Sequence, residues 1–263
     1  MKIVYPDYSN NLVNLMNSIR RFYNLDLTNT TLKSADRILD KSKYNKIVLI
    51  LLDGMGTKII DKHLKDSSFF KTHKIQDLTS TFPSTTVAAT TCVRSTYTPI
   101  ETGYLGWHQY LKDIDKDLIV FNNKEYYTNN LFPFNPFKKD MPYKTLSKQL
   151  NEKGIDSVEI FPNLNEKNTI KCKSFNSFIR NILKYNKSKS FIYAYWGEPD
   201  SSLHKYGTDS KKITKILNRF DRKLNDDAAD AVCISLFGLE YEETRSCILF
   251  NSSFLFDVRF LKP

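Results

Sequence analysis

Ile47-Val48-Leu49-Ile50-Leu51-Leu52, led by Lys46 and stopped by Asp53-Gly54, is an unbroken apolar run of β-branched residues and leucines. An unbroken run of this length, rather than an alternating one, reads as a strand buried on both faces. A helical pattern from Thr57 to Lys65 follows it, so strand, tight turn and helix open an α/β unit. A second unit pairs a helix over Lys144 to Lys153, closed by Gly154, with a strand over Ser157 to Phe161. The third pairs a helix from Phe175 to Leu183 with a strand from Ser190 to Trp196. Alternation of this kind predicts an α/β fold, a mostly parallel sheet with helices on both faces. Upstream, Leu12, Leu15, Met16, Ile19 and Phe22 fall at helical spacing behind Ser9 or Asn10 as cap, and that helix is expected to lie against the sheet.

Between Leu105 and Pro142 the pattern gives way to aromatics, Asn and Pro, as in Phe132-Pro133-Phe134-Asn135-Pro136-Phe137. Residues 105–142 are expected to be an aromatic-rich insertion over one end of the sheet, either a functional lid or a structural cap. With no repeat and no low-complexity linker, residues 1–263 read as one domain carrying that insertion. From Asn225 onward the composition shifts: Lys262 is the one lysine, and Ala228, Ala229 and Ala231 crowd together. Residues 225–263 are expected to form a divergent C-terminal tail.

A chain of 263 residues, 41% hydrophobic and 26% charged, is long and apolar enough to bury a core, which excludes disordered and collagen-like classes. Its longest apolar run falls far short of the roughly 20 residues that cross a bilayer, and Met1 to Asp7 lack the apolar stretch of a signal peptide. A cytoplasmic protein with no membrane partner is expected. Cys92, Cys172, Cys233 and Cys247 contain no Cys-x-x-Cys pair, so neither a disulfide framework nor a cysteine zinc site is indicated. The net charge of +10 is spread among Asp and Asn without a nucleic-acid recognition motif, and it suits a small phosphate-bearing substrate better than a nucleic-acid surface.

In open α/β sheets ligands bind beyond the carboxyl ends of the strands, and two such places carry a chemical pattern. Asp53 leaves the buried strand beside Gly54 and Gly56, as a metal ligand or as ordinary turn chemistry. Asp200 and His204 follow the Ser190 to Trp196 strand four residues apart. On one helical turn that spacing lets a carboxylate and an imidazole meet one ion, or it gives a capping Asp and a surface His. Between them, Phe82-Pro83-Ser84-Thr85-Thr86 opens a helix, which puts Thr85 and Thr86 at a helix N-terminus. There the free N–H groups and the dipole favour an anion, and a plain Thr cap is the other reading.

These pieces occur in a fixed order: Leu51-Leu52-Asp53-Gly54, then Phe82-Pro83-Ser84-Thr85-Thr86, then Glu101-Thr102-Gly103, then Pro199-Asp200 with His204 and Gly207. In that order they resemble the type I phosphodiesterase and nucleotide pyrophosphatase branch of the alkaline phosphatase superfamily, over about Lys46 to Leu224. The resemblance implies an alkaline-phosphatase-like core and two divalent metal ions, zinc or else manganese. It implies hydrolysis of a phosphodiester or nucleotide-like substrate through a phospho-threonine intermediate. Carried over by motif, Thr86 is the nucleophile and a metal ligand, Asp53 a ligand shared with it, and Asp200 and His204 ligands of the other ion. Trp107 and His108 become substrate-binding candidates, with a structural role as the alternative for His108.

The sequence also departs from the family. Thr102 stands where the family commonly has His, and no Asp-His-Gly follows the helix Ile213 to Leu224. At that place the strand-like Ala231 to Glu240 offers only Glu240 near the right end, with Asp226, Asp227 and Asp230 before it. His63 and His73 precede Thr86 and nothing places them at the metals. The second expectation is therefore a catalytically impaired, truncated family member or a non-catalytic binding protein.

Overall fold

The computed structural model describes residues 5–40, 45–162, 168–185, 189–237, 246–251 and 254–256, with side chains as far as Asp226. In chain order the elements are α1 (Leu12–Phe22), α2 (Lys33–Asp40), β1 (Lys46–Leu52), α3 (Thr57–His63), α4 (Phe69–Thr72), β2 (Lys74–Asp77), α5 (Thr86–Ser95), α6 (Pro99–Thr102), β3 (His108–Leu111), β4 (Lys116–Ile119), β5 (Lys124–Glu125), α7 (Pro136–Asp140), α8 (Leu146–Glu152), β6 (Asp156–Phe161), β7 (Thr169–Lys171), α9 (Phe175–Lys184), β8 (Ser190–Trp196), α10 (Asp200–Tyr206), α11 (Lys211–Phe237), β9 (Ser246–Asn251) and β10 (Phe254–Phe256). The chain divides into two compact units, one of residues 1–36 and 79–149, the other of residues 37–78 and 150–263.

The second unit holds a five-stranded sheet in the order β7-β6-β8-β1-β9, with every pairing parallel. All seven residues of β1 are buried, as its unbroken apolar run requires. Val48, Ile50 and Leu52 join Ile192 and Ala194 of β8 in a core completed by Phe175 and Phe178 of α9 and Leu217 and Phe220 of α11. The alternate residues Ile47, Leu49 and Leu51 are buried as well. This is the α/β architecture expected, a parallel sheet flanked by helices.

At the C-terminal end the expectation needs correcting. Ala231 to Phe237, expected as a strand, continues α11, because Asn225 to Ala231 is alanine-rich and neither Gly nor Pro interrupts the run before Gly238. The strand that joins the sheet beside β1 comes later, as β9. Glu240 lies outside the described residues.

In the first unit, α1 packs on α5. Its cap is Asn11, not Ser9 or Asn10: the Asn11 Oδ1 accepts from the N–H groups of Val13 and Asn14, and the Asn14 Oδ1 accepts in return from the Asn11 N–H at 3.0 Å. Ser9 is instead turned toward the Asp7 carboxylate. Part of the aromatic-rich segment 105–142 forms an antiparallel sheet in the order β3-β4-β5. One face of it carries the buried Leu118 into a small core with Val87, Tyr104, Val120 and Phe137. The other face carries His108, Tyr110 and Asp117, and of these His108 and Tyr110 are exposed.

Candidate active site

In the second unit three of the expected residues stand together. Asp53 follows β1, and its backbone N–H donates to the Trp196 carbonyl at the end of β8 (3.0 Å). Its own carbonyl accepts from the Asp200 N–H, also at 3.0 Å, so the two carboxylate residues are bonded through their backbones. Gly54 makes this approach possible: it sits at φ +74°, and a Cβ there would lie 2.7 Å from the Asp200 Cα. Asp200 opens α10 directly after Pro199, which holds the cap position, and His204 lies one turn on with Nε2 3.6 Å from the Asp200 Oδ2. His204 is largely exposed.

Tyr195, which sequence reasoning missed, donates its hydroxyl to the Asp53 Oδ2 at 2.7 Å. Burial first, and then the Asp53 charge, push the Tyr195 phenol far above its ordinary value, so it stays a donor. Its signal in the sequence is a polar-tipped aromatic at the second-to-last position of the strand before Asp200.

Aspartate and histidine are donors that a zinc or manganese dication accepts. The Asp200 and His204 pair fits such an ion in chemistry but supplies two donors, and among the described residues no group of three or more His, Cys, Asp or Glu side chains converges to hold one. His63 is occupied elsewhere: it is buried, with Nδ1 2.8 Å from the Thr214 hydroxyl and Nε2 2.7 Å from the Thr208 carbonyl. His73 ends α4 against its own backbone, with Nδ1 3.0 Å from the Phe69 carbonyl. Asp226 lies exposed on α11, and Asp227 and Asp230 follow it on the same helix.

In the first unit, α5 begins at Thr86. Thr85 is its cap, accepting from the Ala88 N–H at 3.2 Å and donating to the Leu105 carbonyl at 2.8 Å. Thr86 therefore holds the first helical position, where backbone N–H groups lack partners within the helix. Thr102, at the position where the family commonly has His, is buried in α6 with its hydroxyl turned to the Thr98 carbonyl, a structural placement. Trp107 is half exposed and meets Phe121 edge-on, with centroids 5.9 Å apart. His108 begins β3 with Nδ1 2.8 Å from Asp117, a partner that sequence reasoning did not single out.

The model of the type I phosphodiesterase / nucleotide pyrophosphatase family matches residues 47–229, more than half of the chain. The chain belongs to that family. Among solved structures it is similar to murine ectonucleotide pyrophosphatase / phosphodiesterase 5, at 14% identity and a TM-score of 0.58, with 79% of this chain covered. An inactive variant of the same mouse protein, in complex with AMP, gives 13% identity and a TM-score of 0.57 over 78% of this chain. At such identities the likeness is one of fold. The chain spans 56% of the length of both structures. No curated protein sequence matches it. Among the described residues no helix is long and apolar enough to cross a membrane.

Proposed function

We propose that this chain hydrolyses a phosphodiester or nucleotide-like phosphate ester by attack of Thr86 on phosphorus. The observation that carries the reading is the placement of Thr86 within a family match that spans it: the first residue of a ten-residue helix, with Thr85 taking the capping role. The helix N-terminus carries roughly half a positive charge and N–H groups suited to phosphate oxygens. Thr86 Oγ would form the bond to phosphorus as the ester oxygen leaves, and water would then release the phosphoryl group from Thr86. Asp200 and His204, with Asp53 beside them, are the residues that would hold a dication, zinc or manganese, which when bound offsets charge on phosphate and alkoxide oxygens. The AMP complex of a protein of similar fold supports a nucleotide-like substrate.

The test is hydrolysis of bis(p-nitrophenyl) phosphate by the purified chain with zinc or manganese, beside Thr86→Ala. Turnover that disappears in the variant supports the reading, and turnover that survives in Thr86→Ala removes Thr86 from it. A second reading, a non-catalytic binding protein, is favoured by the two-donor count at Asp200 and His204, and it predicts no turnover from folded protein with either metal.

A further inference from the structure

Asp53 is fixed at both ends of its backbone, by its N–H on the Trp196 carbonyl and by its carbonyl on the Asp200 N–H. What remains to it is rotation of the side chain, and the Tyr195 hydroxyl acts on that rotation by donating to Oδ2 at 2.7 Å. The register of the parallel sheet explains why the two meet. β1 and β8 pair Leu51 with Tyr195, and side chains two positions apart share a face, so Asp53 leaves β1 on the face that carries Leu51 and Tyr195. Leu52 and Trp196 point the other way, into the core with Phe175 and Phe178.

Tyr195 is itself held. Its ring lies against Phe161, the last residue of β6, with centroids 5.6 Å apart and planes 30° from parallel. Phe161, Tyr195 and Asp53 thus form a line that runs from the sheet to the site: one ring sets another, and the hydroxyl of the second sets a carboxylate.

We propose that Tyr195 is a positioning residue for the dication, presetting the Asp53 carboxylate through its hydroxyl; this rests on the reading that Asp53, Asp200 and His204 hold such an ion. A carboxylate left to rotate must be ordered when the ion arrives, at a cost in side-chain entropy, whereas one already held has met that cost during folding. Hydrogen-bond partners behind metal-binding carboxylates act in this way. A neutral donor suits the task. It orients the carboxylate and leaves its negative charge for the cation, where a lysine or arginine at the same place would cancel it.

In the experiment, zinc is titrated calorimetrically into the metal-free full chain, into Tyr195→Phe and, as the reference for loss of the carboxylate, into Asp53→Asn. Tyr195→Phe keeps the ring against Phe161 and removes the hydroxyl. It is expected to bind zinc about 10- to 100-fold more weakly than wild type, with Asp53→Asn weaker still. Cobalt reports its ligands by visible absorption, and at saturation its spectrum in Tyr195→Phe should differ from that in wild type. A hydroxyl that serves folding alone would lower the metal-free urea midpoint of the variant and leave both its zinc affinity and its cobalt spectrum at wild-type values, which overturns the proposal. Tighter zinc binding in Tyr195→Phe also overturns it, since the hydroxyl would then compete with the ion for Asp53. In either case weakened binding by Asp53→Asn keeps Asp53 in the site. Asp53→Asn binding as tightly as wild type removes Asp53 from the dication reading and overturns this proposal. Wild-type protein that takes up no zinc overturns both. Should Tyr195→Phe fail to fold, Tyr195→Met, which likewise lacks a donor, decides by the same criteria.

Discussion

Thr85 uses its hydroxyl twice, toward the Ala88 N–H and the Leu105 carbonyl, while its neighbour Thr86 begins the helix. Loss of a threonine cap costs about 1 kcal/mol, so Thr85→Ala should lower the urea midpoint by that equivalent. Thr86→Ala puts a good helix former at the first position; it should keep the midpoint within about 0.5 kcal/mol and abolish phosphodiester turnover. The two variants thus separate stability from chemistry at adjacent positions. That both threonines sit at a helix start was legible from Pro83 and the pattern after it. Which of them caps was not, because the answer depends on a carbonyl twenty residues further on. The same limit hid Asp117 and Tyr195, whose importance comes only from what the strands bring opposite them.

Two glycines separate backbone conformation from crowding. Gly54 and Gly154 both sit near φ +75°, but a Cβ on Gly154 meets nothing within 4 Å, whereas one on Gly54 would run into the Asp200 backbone. Gly154→Ala should cost only the left-handed penalty of about 1 kcal/mol. Gly54→Ala should cost roughly 2 kcal/mol more and displace Asp200, seen as a larger drop in melting temperature and weaker zinc binding. At this scale the strands of the parallel sheet were legible because each is a long apolar run, and β8 spans the very residues read from sequence. The strands β3, β4 and β5 were not: they have two to four residues of mixed character, and they are set by pairing and by the burial of Leu118 rather than by local pattern. The helical course of Ala231 to Phe237 was misread because valine, isoleucine and phenylalanine suit either element, and length decides between them only when the start is known.

For the molecule as a whole, pH acts on stability through buried thiols. Burial pushes the Cys92 thiol up to about 12 from an ordinary 9.0. The unfolded chain sheds this proton near pH 9 and the folded chain does not. The stabilisation is therefore complete below pH 9 and is lost as pH rises toward 12. Denaturant midpoints should fall across that window, and a Cys92→Ala variant should show a shallower fall, whatever its stability at neutral pH. Family, sheet and the ordered motif were legible from sequence because each is assembled from short pieces that can be read locally; a metal shell gathers single donors from distant places, and for that the motif alone was too little. The position of β1 has a consequence for how the chain is made. Its partners begin at Ser190 on one side and Ser246 on the other, 144 and 200 positions after Lys46. At about 5–20 residues per second, a ribosome would leave this greasy segment exposed for roughly 7 to 30 seconds before even the first partner is synthesised. Nascent chains should therefore be held by chaperones at β1, and translation without them should yield aggregates seeded there.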